Sequence, residues 1–385
     1  MHAGWIAVLF AAAYAFLGDV RAAHPLLAPV WALLVLAAPL PQRHVWAWAL
    51  AVRAPLLLCA PTLSDDAWRY VWEGRVLAAG LDPFLLPPDA PALVPLRDEA
   101  WHNVAHRNIP AIYPLGTQAL ALLAAPGGLF AWRVLSIAGD LATTRVLAVR
   151  APTTFAPRAA ALWALLPLPA TESAISGHLE GLAIPLFLLG LAGSDAAAAM
   201  GATIKLLPAF LLVRARRDRR LWALGAVVTL AAWPSLQSAA FASYTRTWEF
   251  NPGLYAVFAA AFGPAARPVG WAVGGGIVAW AAWKIEDRGR FALWVCGALV
   301  ALSPVVHPWY ALWPLAAALW TGHRPWEVLA VTIPVSYVVL STYDPATSTW
   351  TEPTWARAVV WAPFWIALVA DVARRGTLVR TETPA

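Results

Sequence analysis

The sequence predicts an all-α fold: a polytopic transmembrane helical bundle of about 12 spans, forming a single integral membrane domain over residues 1–385. Three observations predict it. Only 12% of the residues are charged and 61% are hydrophobic, against about 25% charged in a soluble domain. The chain therefore lacks the polar surface to cover a water-facing globule. Apolar runs close to the length that crosses a bilayer as a helix, about 20 residues, recur from one end to the other. Arginines gather between those runs.

The runs fall at roughly 4–18, 25–40, 44–61, 129–148, 159–175, 178–193, 221–240, 268–283, 291–306, 309–321, 326–342 and 355–371. The first has no Lys or Arg ahead of it and others follow at once, so it reads as a retained helix, not a cleaved leader. The net charge is +6, and its placement matters more than its size. One cluster is Arg214, Arg216, Arg217, Arg219 and Arg220; a second is Lys284, Arg288 and Arg290; a third is Arg374, Arg375 and Arg380. Positive loops stay cytoplasmic, so twelve spans place these clusters and both termini inside. Because the clusters flank membrane segments, they do not read as a nucleic-acid surface. Cys59 and Cys296 lie in apolar runs and imply neither a disulfide framework nor a metal site.

Two further apolar stretches, 113–126 and 196–213, break the parity. The first closes with Pro126-Gly127-Gly128, and the second carries Lys205 and Pro208. Both read as re-entrant or broken segments, which a membrane tolerates only where protein or a cavity covers the backbone.

The longest stretch outside the spans, 62–112, is expected on the extracytoplasmic side. It holds Asp65, Asp66, Glu73, Asp82, Asp89, Asp98 and Glu99 together with Arg69, Arg75, Arg97, Arg107, His102 and His106. It is too long to be a mere connector. Its opening, Ser64-Asp65-Asp66-Ala67-Trp68-Arg69-Tyr70-Val71-Trp72-Glu73-Gly74-Arg75, reads as an amphipathic helix on the outer surface, with Ser64 as cap and Trp68 and Trp72 in the interface. Asp66, Arg69, Tyr70 and Glu73 share one face.

Two readings of that face stay open: a salt-bridged interfacial helix without chemistry, or a site for glycosyl transfer. A sugar hydroxyl is a weak nucleophile, and a carboxylate such as Asp65 or Asp66 would take its proton during attack. A lipid phosphate leaves as an anion and needs a fixed positive charge rather than a proton. Elsewhere, His178 and Glu180 stand at the outer end of a span, as helix caps or ligands to sugar or phosphate. Lys205 lies in an apolar run, where a charge is costly, and reads as a lipid-phosphate partner, a snorkelling side chain or half of an internal ion pair. Arg133 and Asp140, seven apart, read as a structural pair. His102 and His106, four apart, suit a metal pair or a polar helix face, with no third ligand at clear spacing. His307 opens a helix beside Trp309 and Tyr310, and Trp101, Trp248 and Trp350 read mainly as interfacial anchors.

An Asp-Asp pair after an early span, then Arg69-Tyr70-Val71-Trp72-Glu73-Gly74-Arg75, then Gly80-Leu81-Asp82-Pro83-Phe84, resembles the first outer loop of the GT-C glycosyltransferases. It is most similar to the bacterial polyprenyl-phosphate-mannose-dependent mannosyltransferases, with Glu73 for their Asp, Asp82 for Asn and Phe84 for Tyr. Further resemblances follow in the family's order: Tyr113-Pro114-Leu115, Gly177-His178-Leu179-Glu180-Gly181-Leu182, Lys205-Leu206-Leu207-Pro208, Phe250-Asn251-Pro252-Gly253-Leu254-Tyr255 and Ser303-Pro304-Val305-Val306-His307-Pro308-Trp309-Tyr310. They span about residues 60–315.

The resemblance implies a GT-C-like enzyme of the cell membrane, multi-pass, with an extracytoplasmic active site. It would move a hexose, mannose being one candidate, from a polyprenyl-phosphate sugar to a glycan or glycolipid hydroxyl, with inversion. Asp65 or Asp66 would be the base, and Arg69, Tyr70, Glu73, Arg75, His178, Glu180, Lys205 and His307 would bind substrate, with Arg69, Arg75 or Lys205 at the phosphate. No cofactor, metal or nucleic acid is expected; membrane lipid is. The alternative is a lipid-linked sugar flippase or transporter, which would concentrate its ionisable residues at mid-membrane and show related halves. No internal repeat is visible, and much of the ionisable chemistry outside the basic clusters lies in the one outer loop.

Overall fold

The computed structural model describes residues 2–214, 219–344 and 349–381. Arg216 and Arg217 lie outside the described residues, and the side chains of the other members of that cluster, with those of Arg375 and Arg380, lie outside the described side chains. The described residues are all-helical, with two isolated β-bridges and no strand.

In chain order the α-helices are α1 (Ala3–Leu17), α2 (His24–Ala37), α3 (Val45–Leu56), α4 (Asp66–Ala78), α5 (Glu99–Asn103), α6 (Leu115–Ala124) and α7 (Gly128–Arg150). There follow α8 (Ala156–Leu165), α9 (Pro167–Ala174), α10 (Glu180–Leu191), α11 (Asp195–Ile204), α12 (Arg219–Gln237) and α13 (Ala239–Thr247). The chain ends with α14 (Tyr255–Phe262), α15 (Ala266–Lys284), α16 (Arg288–Leu302), α17 (Leu312–Thr321), α18 (Pro325–Thr332) and α19 (Thr354–Thr381).

Each of the twelve apolar stretches coincides with helix, but few helices are long. Two runs, Leu115–Arg150 and Thr354–Arg374, are long and apolar enough to cross a membrane. A third qualifies if Trp222–Gln237 and Ala239–Thr247, bent by 75°, count as one. Five more apolar helices have 10–17 residues. Proline explains much of the shortening. Leu166 precedes Pro167 and is extended (ψ 142°), which splits 159–175 into α8 and α9. Pro29, Pro55 and Pro185 sit inside α2, α3 and α10. The stretch 113–126 is not a separate loop-like entry: α6 passes through a 3₁₀ turn, Ala125–Gly127, into α7, with Gly128 at φ 55°. The stretch 196–213 is broken: α11 stops at Ile204, Lys205 is extended, and a 3₁₀ segment follows over Leu207–Arg214.

The interior is built around α8, α9 and α10, nearly all of whose residues are buried. Large apolar side chains instead face outward on the peripheral helices, among them Phe16, Leu26, Trp222, Leu230, Trp283 and Ile366. Helices α7 and α10 cross at glycines: a Cβ on Gly139 would stand 2.3 Å from the Gly181 carbonyl oxygen.

Much of helix α4 is covered by protein. Tyr70, Val71, Trp72, Glu73 and Gly74 are all buried on it. Trp72, expected in the interface, packs instead with Val76, Leu93 and Val104 in a small core inside the 62–112 segment. The opposite side of the helix meets α6 so closely that a Cβ on Gly74 would lie 2.2 Å from the Ala121 carbonyl oxygen. Gly74→Ala is therefore expected to destabilise the protein by about 1–3 kcal/mol, the usual cost of overpacking. Thermal unfolding in detergent measures this. Gly275→Ala on α15, where a Cβ meets nothing within 4 Å, is the control and should be neutral or mildly stabilising.

Arg133 and Asp140 do not pair with each other. Seven residues separate them by about 10 Å along the axis, and each finds partners elsewhere. Arg133 donates to the carbonyls of Ala174, Cys59 and Leu56 at 2.7–3.1 Å. Asp140 accepts from Arg53 Nε at 2.6 Å and from Trp163 Nε1 at 2.7 Å.

Candidate functional site

The site gathers where α4, α10 and the break at Lys205 come together with the segment before α17. Asp66 is the first residue of α4, and Ser64 Oγ accepts from its backbone N–H at 3.2 Å. Its Oδ2 accepts from Tyr70 Oη at 3.4 Å and from Tyr113 Oη at 3.3 Å. His178 Nδ1 lies 3.6 Å from the same oxygen. The carboxylate is thus walled by protein on several sides, yet its side chain keeps 26% exposure.

His178 owes its position to the loop between α9 and α10. Gly177 adopts φ 63°, a left-handed conformation that glycine enters without steric cost. Its carbonyl accepts from Trp132 Nε1 at 2.7 Å, and the His178 carbonyl accepts from Ser136 Oγ at 3.0 Å. A stacked column then holds the ring: His178 on Trp309 (3.8 Å), Trp309 on His307 (4.4 Å) and His307 on Phe250 (4.9 Å). The segments carrying Phe250 and His307 are themselves tied, Phe250 N–H to Pro304 O at 3.0 Å and Val306 N–H to Phe250 O at 2.8 Å.

Lys205 donates to the Glu180 carboxylate and lies 4.8 Å above the Tyr310 ring. Glu180, the first residue of α10, also accepts from Trp313 Nε1 at 3.2 Å. Tyr310 and Tyr244 share a 2.5 Å hydroxyl contact. On α4, burial pushes the Asp66 carboxyl above its ordinary value, against the opposing pull of Lys205 and Arg69. Burial, with the neighbouring Asp66 charge adding to it, pushes Asp65 up to about 6.

Of the residues expected from the sequence, Asp66, Tyr70, His178, Glu180, Lys205 and His307 come together. Asp65 makes no side-chain hydrogen bond or ion pair with another described residue. Glu73 is buried behind the cluster, accepting from Gln118 Nε2 at 2.7 Å. The two arginines expected at a phosphate are engaged elsewhere. Arg69 donates to the carbonyls of Ile109, Ala105 and His106 at 2.6–3.0 Å, which fastens the end of the 62–112 segment to α4. Arg75 lies nine residues past Asp66, roughly 180° around the helix, and pairs with Asp98.

His102 and His106 do not share a helix face. Helix α5 ends at Asn103 and His106 has φ 49°, its ring against Trp248 at 4.8 Å. No three potential metal ligands cluster among the described residues. Trp101 is held between the guanidinium groups of Arg97 and Arg107, each 4.4 Å from its ring. Trp313, Tyr244 and one acid beside the site were passed over in the sequence; the acid is Glu172, inside the apolar run 159–175, 1% exposed and 3.4 Å from His178 Nε2. Its signal was an ionisable residue inside an apolar run.

No family model, curated protein or solved structure matches the chain.

Proposed function

We propose that the chain is a multi-pass, GT-C-like membrane glycosyltransferase that moves a hexose from a polyprenyl-phosphate sugar to an acceptor hydroxyl, with Asp66 as the base. One observation carries the reading. A partly exposed carboxylate, Asp66, sits among two tyrosines, a histidine and a lysine–glutamate pair drawn from sequence positions far apart. Such convergence is what a preorganised site requires. The outward-facing apolar side chains and the apolar helices support placement in a bilayer. The arginine distribution supports twelve spans with 62–112 on the extracytoplasmic side.

In this mechanism the acceptor oxygen attacks the anomeric carbon while its proton passes to Asp66. The bond from that carbon to the phosphate oxygen breaks, and its electron pair leaves with the phosphate. One displacement inverts the configuration through an oxocarbenium-like transition state. Lys205 is the cation placed to meet the phosphate, Glu180 being its resting partner. His307, Trp309 and Tyr310 line the same region; with the ring faces of His307 and Trp309 taken up by the stack, they offer the sugar ring edges and the Tyr310 hydroxyl.

The test is label transfer in proteoliposomes from a polyprenyl-phosphate hexose, mannose first, to added glycan and glycolipid acceptors, with product structure determined. Label that crosses the bilayer with its covalent form unchanged would instead establish a flippase. Side is tested by single-Cys labelling from outside, in a variant lacking Cys59 and Cys296: position 90 reacts and position 217 does not. The reverse pattern would overturn the orientation.

The base role also fixes a pH dependence. Asp66 must be ionised to accept a proton, and its carboxyl is held above the ordinary 3.8. As pH falls, kcat/KM should therefore drop through a value above 3.8, with activity intact on the alkaline side of it. A pH–rate profile with its acid limb at or below 3.8 would exclude Asp66 as the titrating base.

A further inference from the structure

Behind Asp66 lies a second acid that the proposed reaction does not yet use. Glu172, on α9, accepts from Tyr337 Oη at 2.8 and 3.0 Å through its two oxygens. Its Oε2 is 3.4 Å from His178 Nε2, while His178 Nδ1 is 3.6 Å from Asp66 Oδ2. Both ring nitrogens are buried and neither has a hydrogen-bond partner. A buried polar atom left unmatched is costly, and the groups facing these two are carboxylates on opposite sides of the ring. The Trp309 stack holds the ring plane, so small side-chain shifts turn both approaches into hydrogen bonds.

We propose that Glu172 is a positioning residue for the transfer: it takes the Nε2–H of a neutral His178 and so fixes the tautomer that turns the Nδ1 lone pair toward Asp66. This rests on the reading of Asp66 as base. A lone pair facing a carboxylate repels it and strengthens its affinity for a proton. When the acceptor O–H proton reaches Asp66 Oδ2, the new Asp66 O–H finds Nδ1 as its acceptor. That bond is absent in the ground state and forms as the proton transfers, which is where a catalytic interaction is effective. After the sugar has moved, the proton leaves from the exposed side of Asp66 to water. Arg69 and Tyr70 on α4, Asp65 just before it, Tyr113, and the Lys205–Glu180 pair act on Asp66 from the remaining sides.

Two variants test this with pH profiles of transfer in proteoliposomes. In Glu172→Gln, the amide oxygen accepts from Tyr337, so the amide N–H faces His178 Nε2 and forces the other tautomer, with Nδ1–H toward Asp66. The expected result is a fall in kcat of at least about tenfold, donor KM within about twofold, and an acid limb moved to lower pH. In Tyr337→Phe, Glu172 loses a donor and binds Nε2–H more firmly. The acid limb should move to higher pH without loss of kcat. Shifts of opposite sign are not produced by a merely structural role. Unchanged kcat and acid limb in Glu172→Gln, or shifts of the same sign in both variants, would overturn the proposal. If Glu172→Gln fails to fold, Tyr337→Phe decides, an unmoved or lowered limb counting against. Asp66→Asn is run beside them. Retained transfer there overturns the base assignment itself, whereas a dead Asp66→Asn with an unaltered Glu172→Gln overturns the role of Glu172 alone.

Discussion

Asp66→Asn is expected to lower transfer by about 10²–10⁴-fold, the usual contribution of a general base, while Asp65→Asn leaves most of the rate. Adjacent helical residues point about 100° apart, and of this pair Asp66 is the one that faces Tyr70, Tyr113 and His178. Asn keeps the shape and the ability to accept from both tyrosines, so it removes basicity and little else. An acid at the first turn of α4 also favours the helix dipole, but by only about 0.3–1 kcal/mol, too little to unfold the bundle. Rates for each variant at matched protein level in proteoliposomes check this. Near-wild-type transfer by Asp66→Asn would move the search to Glu180, the carboxylate paired with Lys205.

The second large effect is on stability and lies away from the site. Asp140→Leu is expected to destabilise the protein by about 3–5 kcal/mol, because it strands a buried guanidinium. Arg53 and Asp140 are 0% and 1% exposed and meet at 2.6 Å. Arg53 also donates to the carbonyls of Ala164 and Trp163, and Asp140 accepts from Trp163 Nε1 and Ser173 Oγ, so the network ties α3, α7, α8 and α9. Arg53→Met combined with Asp140→Leu removes both charges and should recover much of the loss, as apolar replacements of buried pairs do. Thermal unfolding in detergent separates the cases. A double variant no more stable than Asp140→Leu alone would show that lost hydrogen bonds, not the unpaired charge, dominate.

Helices were legible because composition and apolar runs dictate them: each of the twelve stretches holds one or two. Their breaks were partly legible. Pro208 beside a lysine flagged the interruption near Lys205, but the split at Leu166 was read over, although Pro167 disfavours helix at the residue before it. Pairings were not legible, since partners stand far apart along the chain. Arg53 and Asp140 are 87 residues apart, so Asp140 was assigned to Arg133, a cation on its own helix. Arg69 looked like a phosphate ligand because carbonyl acceptors carry no sequence signal, and three of them hold it. Of the site, motif residues found most of the cluster. Glu172 was missed because one acid in a long apolar run hardly alters the run's character, and only its burial beside His178 reveals it.

The break that exposes Lys205 has an electrostatic consequence. Lys205 directly follows the carbonyl end of α11, whose partial charge is negative. Asp66 and Glu180 are each the first residue of a helix, α4 and α10, at the amide end whose partial charge is positive. Asp66, Glu180 and Lys205 therefore each have a backbone counter-charge that does not move. If an incoming anion draws Lys205 off Glu180, neither side chain is left bare, because the helix ends retain about 0.3–1 kcal/mol of attraction for each. On the proposed function the ion pair is a latch: closed, it keeps a lysine soluble in an apolar wall; opened by a phosphate, it would find the same two helix ends waiting when the phosphate leaves.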